Sequence, residues 1–574
     1  MRRLSRAMTS VVLAGATVAV SATLVTGRSA MAYAPGTPTV IRDNQAGQFT
    51  LTPPSPTTSH PQLIQPDTQI EPSLSVNPNN PLNAVAVYQE GRVSGGGDET
   101  NGYATTFDGG KTWSYGELPG LTYLVGGAQS GTNMFDRASD AVVAFGPNNL
   151  VYANSLVFTD SSSGGTHSGI ATNVSKDGGA TWEAPVFLEN DNIQGSNDKN
   201  WIGVDNSSAS GHHFGRVYVT WDRGSPVVYS YCDADCDQLG NWLPLSAAPI
   251  QFYPTYPGSG ISSLPLVLSD GSLGVAFVSG STIEWDLALG AGSVPFPAPL
   301  PFTQEPIAVT TEQTHPIRYQ RSCDSSLIMA DVSPVDGTVF ITWSDSRFRT
   351  ESPGVVEDPV MIKSTDAHGT MWGAVQRLDS GAPTNDYVNR YCTSVAVGQD
   401  GVVHVMWRQR QEDNNAAGGG TGFSPTIETY YQESHDGGTS YTAPVLASIH
   451  QETNFYYGAF SRAGLFEGDY EQIGTSGPYT YLVREEAYPI TPDEPHGLVL
   501  VSNAYQNDPA CTDPSCLTHL HQRTWVAVIG PPDEGTSVPE FSAAWRTVLV
   551  GAGVAALIGA ARFRRRTRRT QRAI

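Results

Sequence analysis

Thr106-Phe-Asp108-Gly-Gly110-Lys-Thr112-Trp113 is a short phrase that this chain repeats. It returns as Ser175-Lys-Asp177-Gly-Gly179-Ala-Thr181-Trp182, and again, with milder residues in the same register, as Ser434-His-Asp436-Gly-Gly438-Thr-Ser440-Tyr441. Ser364-Thr-Asp366-Ala-His-Gly369-Thr-Met-Trp372 is a looser copy with one residue more. The physics of the phrase is local. An aspartate in a tight turn accepts hydrogen bonds from nearby backbone N–H groups, and glycine supplies the positive φ that the turn requires. The Ser/Thr hydroxyl ties the turn down, and the aromatic residue buries a large surface as the next strand begins. These residues read as structural, so the repeated aspartates are not candidates for catalysis.

A longer unit surrounds each phrase. An alternating strand comes first, as in Glu71-Pro-Ser-Leu-Ser-Val76 or Asp140-Ala-Val-Val-Ala-Phe145. A β-branched strand follows, as in Val217-Tyr-Val-Thr-Trp221, Val339-Phe-Ile-Thr-Trp343 and Val402-Val-His-Val-Met-Trp407. A third strand enters the turn and a fourth leaves it. First strands are expected near residues 70, 139, 200, 261, 326, 392 and 470. Four short strands per unit, with almost no helical periodicity before Phe541, predict an all-β propeller. The count is seven blades, although blade four (261–303) and blade seven (470–528) lack a readable phrase. Six is the alternative if the last unit is peripheral. Pro38-Thr39-Val40-Ile41 would add the outer strand that closes the ring.

The pattern S/T-x-D-x-G-x-T-W resembles the Asp-box, or BNR repeat, of sialidases and other propellers. The resemblance covers residues 70–528 and implies the sialidase-like fold, with Asp108, Gly110, Trp113, Asp177, Gly179, Trp182, Asp366, Trp372, Asp436, Gly438 and Tyr441 as its structural positions. Sialidases have six blades. They grip a substrate carboxylate with three arginines, protonate through an Asp, and attack with a Tyr activated by Glu. By resemblance, Arg137, Arg321 and Arg390 would be the triad, and Tyr470, between Asp469 and Glu471, the nucleophile. The family's Phe-Arg-Ile-Pro phrase is missing, and Gln69-Ile-Glu71-Pro72 stands in its place.

The ends of the chain predict export. Arg2, Arg3 and Arg6, the mostly apolar run Val11 to Val25, and Ala30-Met31-Ala32 form a signal peptide over residues 1–32, with a retained N-terminal membrane helix as the alternative. Residues 33–69 are an N-terminal extension, and 70–530 the propeller. Residues 531–540 are a linker and sorting motif, 541–563 a marginal transmembrane segment, and 564–574 a basic cytoplasmic tail. Pro539-Glu540-Phe541, the apolar segment and the arginine cluster resemble the PEF-type sorting signals of archaeosortase and exosortase substrates. A sorting transpeptidase would then cut at the motif. A plain membrane anchor is the alternative, and both leave the body outside the cell.

Six cysteines fit that compartment. Cys232 with Cys236, and Cys511 with Cys516, read as local loop bridges. The repeat register puts Cys323 and Cys392 just ahead of the first strands of adjacent blades, so a blade-to-blade disulfide is expected. Their spacings do not suit zinc. Calcium is the cofactor to weigh, through Asp233, Asp235 and Asp237 or through Asp345 with its neighbours; otherwise none is expected. Residues 33–545 hold 20 Lys+Arg against 55 Asp+Glu, a net −35, which excludes nucleic acid as a partner.

Long second-to-third connections (Glu90 to Gly102, Phe158 to Gly169, Asp345 to Pro359, Gln409 to Thr426, Arg484 to Gly497) gather on the face opposite the tight turns. Binding is expected there. Arg137, Asp140, Asp198, Lys199, Arg321, Asp324, Arg390, Asp469 and Tyr470 would ring the channel mouth on that face. The function expected is a surface-anchored propeller binding glycan or a surface protein. A sialidase-type glycoside hydrolase acting on acidic sugars and a structural envelope component are the alternatives.

Overall fold

A computed structural model of the chain describes residues 37–48, 64–93, 95–129, 134–159, 167–191, 197–224, 226–243, 255–303, 305–314, 320–323, 327–350, 356–379, 381–382, 384, 386–412, 426–454, 457–461, 464–488 and 521–531. They belong to one compact unit, Thr37–Ile574. The signal and sorting segments, the expected membrane segment, Asp324, and Cys511 with Cys516 lie outside the described residues. Among the described residues, no helix is long and apolar enough to cross a membrane.

The chain is all-β, its only helical elements being short 3-10 turns among the described residues. Its strands form successive antiparallel meanders of four. Meander 1 runs Ile64–Val76, Ala84–Val93, Asp98–Thr106 and Ser114–Glu117. Meander 2 runs from Arg137–Phe145 to Val186–Asp191, and meander 3 from Asn197–Val204 to Thr255–Ser259. Meander 4 spans Ile261–Val267 to Ile307–Thr311, and meander 5 Met329–Val332 to Gln376–Arg377. Meander 6 spans Val388–Val397 to Val445–Leu446. Meander 7 takes Gln472–Ser476, Tyr479–Ala487 and Gln522–Ile529 from the end of the described chain. Its outer strand is Val40–Gln45, which pairs antiparallel with Gln522–Ile529 from the far end of the sequence.

The β-branched second strands are buried because sheets pack against them on both faces. Trp221, Trp343 and Trp407, at the same place in three of them, are all about 1 % exposed or less. Each pair of consecutive meanders shares its own apolar cluster. Val85 and Val87 of meander 1 pack with Val143 and Val157 of meander 2, and Val142 with Val217 and Trp221 of meander 3. The series continues through Tyr218 with Phe277, Leu264 with Ile341, Phe340 with Val405, and Met406 with Leu482. It returns to its start where Tyr481 and Val528 of meander 7 meet Leu74 and Ala86 of meander 1. Among the described residues the cycle of cores is closed, each meander packing against the next.

The aspartate-centred turns explain part of that closure. Asp108 Oδ1 accepts from the backbone N–H of Lys111 and Thr112 at 3.0 and 2.9 Å, and its Oδ2 accepts from the Thr112 hydroxyl at 2.6 Å. Asp177 and Asp436 repeat the pattern with Thr181 and Ser440. Asp366 does so with Thr370 and Met371. The bonds from Ser440 hold the Asp436 carboxyl well below its ordinary range. Each turn then locks onto the preceding meander. Arg42 and Asn44 donate to the carbonyls of Gly109 and Gly110 at 2.9 Å, and Asn83 and Thr105 to those of Gly178 and Gly179 at 3.0 and 2.8 Å. Lys363 donates to the Gly437 carbonyl, and Trp285 to that of His368.

Cys232 is bonded to Cys236, and Cys323 to Cys392 across meanders 5 and 6. One expected loop is shorter than its sequence suggests. The connection Glu90 to Gly102 is an extended hairpin paired as far as Arg92 and Asp98, because alternating polar residues there continue the ladder above the core.

Candidate functional site

The inner strand of most meanders breaks register at the same place. Shifts fall between Ile70 and Ser73, Ser139 and Val142, Asp198 and Trp201, Ile261 and Leu264, and Tyr391 and Ser394. At each bulge one residue takes a left-handed conformation: Glu71 (φ 51°), Asp140 (45°), Lys199 (44°), Ser262 (63°) and Cys392 (52°). Cys323 (43°) occupies the corresponding point ahead of meander 5, and Gly468 (108°) that ahead of meander 7. A non-glycine residue held there costs about 1–3 kcal/mol, and such strain persists where surrounding structure fixes it, often at functional sites. Here the repeated bulge turns one residue per inner strand out of the ladder.

Four of these points converge. The Lys199 ammonium donates to Asp469 at 2.8 Å and lies 3.9 Å from Asp140. The Lys199 backbone N–H lies 3.0 Å from both Asp140 Oδ2 and Asp198 Oδ1. Glu71 accepts from the Asp469 backbone N–H at 3.1 Å and from the Gln89 side chain. These groups line a depression of about 350 Å³. One wall is apolar, with Leu156, Phe158 and Phe466, and the hairpin glycines Gly96 and Gly97 form its rim. Arg92 lies 4.6 Å over the Phe466 ring and is paired with Asp98 at 3.1 Å. Both the lead-ins to inner strands and the second-to-third connections therefore contribute to one site.

Its electrostatics are those of carboxylates in excess. Burial raises the Glu71 carboxyl to about 8; Lys199 opposes this, while Asp469 and Asp140 add to it. Burial and then Asp140 raise Asp198 to about 6. Burial raises Asp98 to about 7 against the pull of Arg92, and raises Asp222, with help from Asp198 and Asp140, to about 8. Burial disfavours the Lys199 ammonium, but Asp140, Asp469, Glu71 and Asp198 outweigh it and hold it charged well above its ordinary value. The site can accept protons and hydrogen bonds, and it can pair with an incoming cation.

Of the residues predicted from sequence, Asp469 lies in this depression with Asp140, Asp198 and Lys199. Tyr470 lies just beneath. Its hydroxyl donates to the Ala141 carbonyl at 3.2 Å, its ring packs edge-on against Trp201, and burial pushes the phenol well above its ordinary value. That is a packed phenol whose hydroxyl is spent on a backbone carbonyl. Arg137 is buried three residues ahead of the bulge, where it donates to the Asp136 carbonyl. Arg390 belongs to a separate network with Asp358, Asp379 and Asp386. The Arg321 backbone pairs with Phe466, and its side chain is outside the described residues. The described arginines are thus not gathered on one substrate position.

Glu71 is the site residue that sequence reasoning missed. Its signal was present in Gln69-Ile-Glu71-Pro72, where an acid replaces an apolar residue at a bulge.

No family model matches the chain, and no curated protein matches it. Among solved structures, the leech intramolecular trans-sialidase is similar at 10% identity and TM-score 0.37 over 60% of this chain. The chain spans 65% of that enzyme's length. The intramolecular trans-sialidase of Ruminococcus gnavus matches at 12% identity and TM-score 0.38, over 60% of this chain and 90% of its own. A Dyadobacter fermentans protein of unknown function matches at 10% identity and TM-score 0.39, over 86% of this chain and 98% of its own. TM-scores below 0.5 at such identities say nothing of activity.

Among the described residues, no group of three or more His, Cys, Asp or Glu is placed to hold a metal. The acids weighed for calcium have other partners: Asp233 pairs with Arg216 and His213, Asp237 with Lys176, and Asp345 with Arg347.

Proposed function

We propose that this chain is an exported, surface-anchored Asp-box propeller of seven blades, each meander being one blade. It binds glycan or a surface protein through the acid-lined mouth of its channel. The observation that carries the reading is the convergence of Glu71, Asp140, Asp198 and Asp469 on Lys199, held there by bulges in left-handed conformation. Such a mouth favours ammonium or hydroxyl groups and repels a carboxylate, because Lys199 is already surrounded by acids and Arg92 is paired with Asp98. The signal peptide, the PEF-like motif and the disulfides support a location outside the cell.

A glycoside hydrolase acting on neutral or amino sugars is the second reading. It is favoured by Glu71 and Asp198 lining one depression, where burial raises their carboxyls to about 8 and about 6, values that would suit an acid and a base. The test is hydrolysis of fluorogenic sialosides, glucosides, galactosides and glucosaminides by the wild type, Glu71→Gln and Asp198→Asn. A binding propeller gives no turnover on any of them. Turnover of a neutral or amino glycoside that is lost in Glu71→Gln establishes the hydrolase, and sialoside turnover sinks both readings.

A further inference from the structure

Away from the channel mouth, meanders 5 and 6 enclose a groove of about 520 Å³. Its origin lies in strand lengths. In meander 6 the residues Val403, Val405, Trp407 and Gln409 of the second strand share one face. Gln432 and Tyr430 of the third strand join them, opposite Val405 and Trp407. Val403 and Val405 are covered by Phe340 and Met361 of meander 5. The outer strand of meander 5 is only Gln376–Arg377, and that of meander 6 only Val445–Leu446, so the cover stops there. Half-buried Gln409 and Tyr430 carry the face into the groove, with Trp407 and Gln432 almost fully buried in its wall and Asp379 and Arg390 also lining it.

The lining is chemically specific. Trp407 and Tyr430 are stacked with centroids 6.1 Å apart and planes inclined by 14°. Trp407 Nε1 is buried with no hydrogen-bond partner. Gln409 gives its carbonyl to Arg390 Nε at 3.2 Å, which leaves its amide NH₂ for another acceptor. Gln432 donates to the Leu378 carbonyl at 3.0 Å, which leaves its own carbonyl oxygen as an acceptor. Arg390 is neutralised by Asp379 and Asp386, so it offers a ligand no net positive charge. Apolar aromatic surface beside planar amides, with charges already paired, matches a ring that has one C–H face and a rim of hydroxyls. An anion would find no uncompensated cation, and a purely apolar ligand would strand the amides.

We infer that the groove between meanders 5 and 6 is a second binding site, specific for neutral pyranose oligosaccharides. It stands apart from the channel mouth and does not rest on the reading of that mouth. The volume lies within the roughly 300–1,000 Å³ common for small-ligand sites.

The test is calorimetric titration of the purified protein with cellopentaose, maltopentaose, xylopentaose and mannopentaose, with tryptophan fluorescence followed in parallel. The expected result is that one of these pentasaccharides binds and changes the fluorescence. Gln409→Ala, at a half-exposed position, then weakens binding by at least about tenfold, the equivalent of 1.4 kcal/mol, with the unfolding midpoint unchanged. Tyr430→Phe keeps the ring and retains most of the affinity, and Asp198→Asn at the channel mouth leaves it unchanged. The proposal is overturned if none of the four binds, or if binding survives Gln409→Ala and is lost in Asp198→Asn.

Discussion

Lys199→Met will destabilise the protein by about 3–5 kcal/mol near pH 8, and the deficit will shrink as the pH falls. Methionine fills the space of the lysine stem but leaves Glu71, Asp140, Asp198 and Asp469 buried around no cation. Breaking a buried pair by removing one partner costs that much because the remaining charge is uncompensated. The pH dependence follows from the same acids. The Glu71 carboxyl stands at about 8 in the fold against an ordinary 4.5, so the folded state binds the proton more tightly. Its contribution to stability is complete below pH 4.5 and is lost as the pH rises through 8. The wild type will therefore unfold more readily at pH 9 than at pH 5. The variant, in which Glu71 and Asp198 lose the ammonium that holds them down, will show a wider gap between the two. Guanidinium unfolding midpoints at both pH values measure this. A deficit that is constant, or larger in acid, contradicts the arrangement around Lys199.

The second large effect concerns the lock between neighbouring meanders. Gly179→Ala will lower stability by about 2–5 kcal/mol. A Cβ at this glycine would lie 2.4 Å from Val85 Cγ2 and 2.9 Å from the Thr105 hydroxyl, and φ is +92°. Overpacking of about 1–3 kcal/mol and a left-handed alanine of about 1–2 kcal/mol combine there. Gly437 is the control: it has φ +65° and nothing within 4 Å, so Gly437→Ala carries the conformational cost alone, about 1–2 kcal/mol. Thermal unfolding of the two variants side by side separates contact from conformation. Equal losses would mean that the turn does not bear on the preceding meander.

The fold was legible where its determinants are local. Asp108, Thr112 and Gly110 make their bonds within a few residues of one another, so the phrase encodes its own turn. The pairing of Cys323 with Cys392 followed from repeat register alone. Strand alternation located the inner strands, but it does not reveal a bulge. One extra residue at Glu71, Asp140, Lys199 or Cys392 reverses the faces of the residues before it. Arg137 and Arg390, two or three positions ahead of their bulges, are buried, Arg390 among Asp358, Asp379 and Asp386. Glu71 was missed for a related reason. Its environment comes from Lys199 and Asp469, which are remote in sequence. Composition showed the acid excess without its location. The structure puts a part of it inside, where burial raises acids such as Asp98, Asp222 and Glu312.

The channel mouth can be tested directly by equilibrium titration of the purified protein with two oligosaccharides of opposite charge. One is the glucosamine tetramer, which carries ammonium groups, and the other is 3′-sialyllactose, which carries a carboxylate. The acid-lined mouth predicts that the glucosamine tetramer binds, that its affinity falls as salt is added, and that Asp198→Asn weakens it. It also predicts no measurable binding of sialyllactose. Binding of sialyllactose without the glucosamine tetramer would show that the mouth presents a cation to its ligand, and would contradict the account.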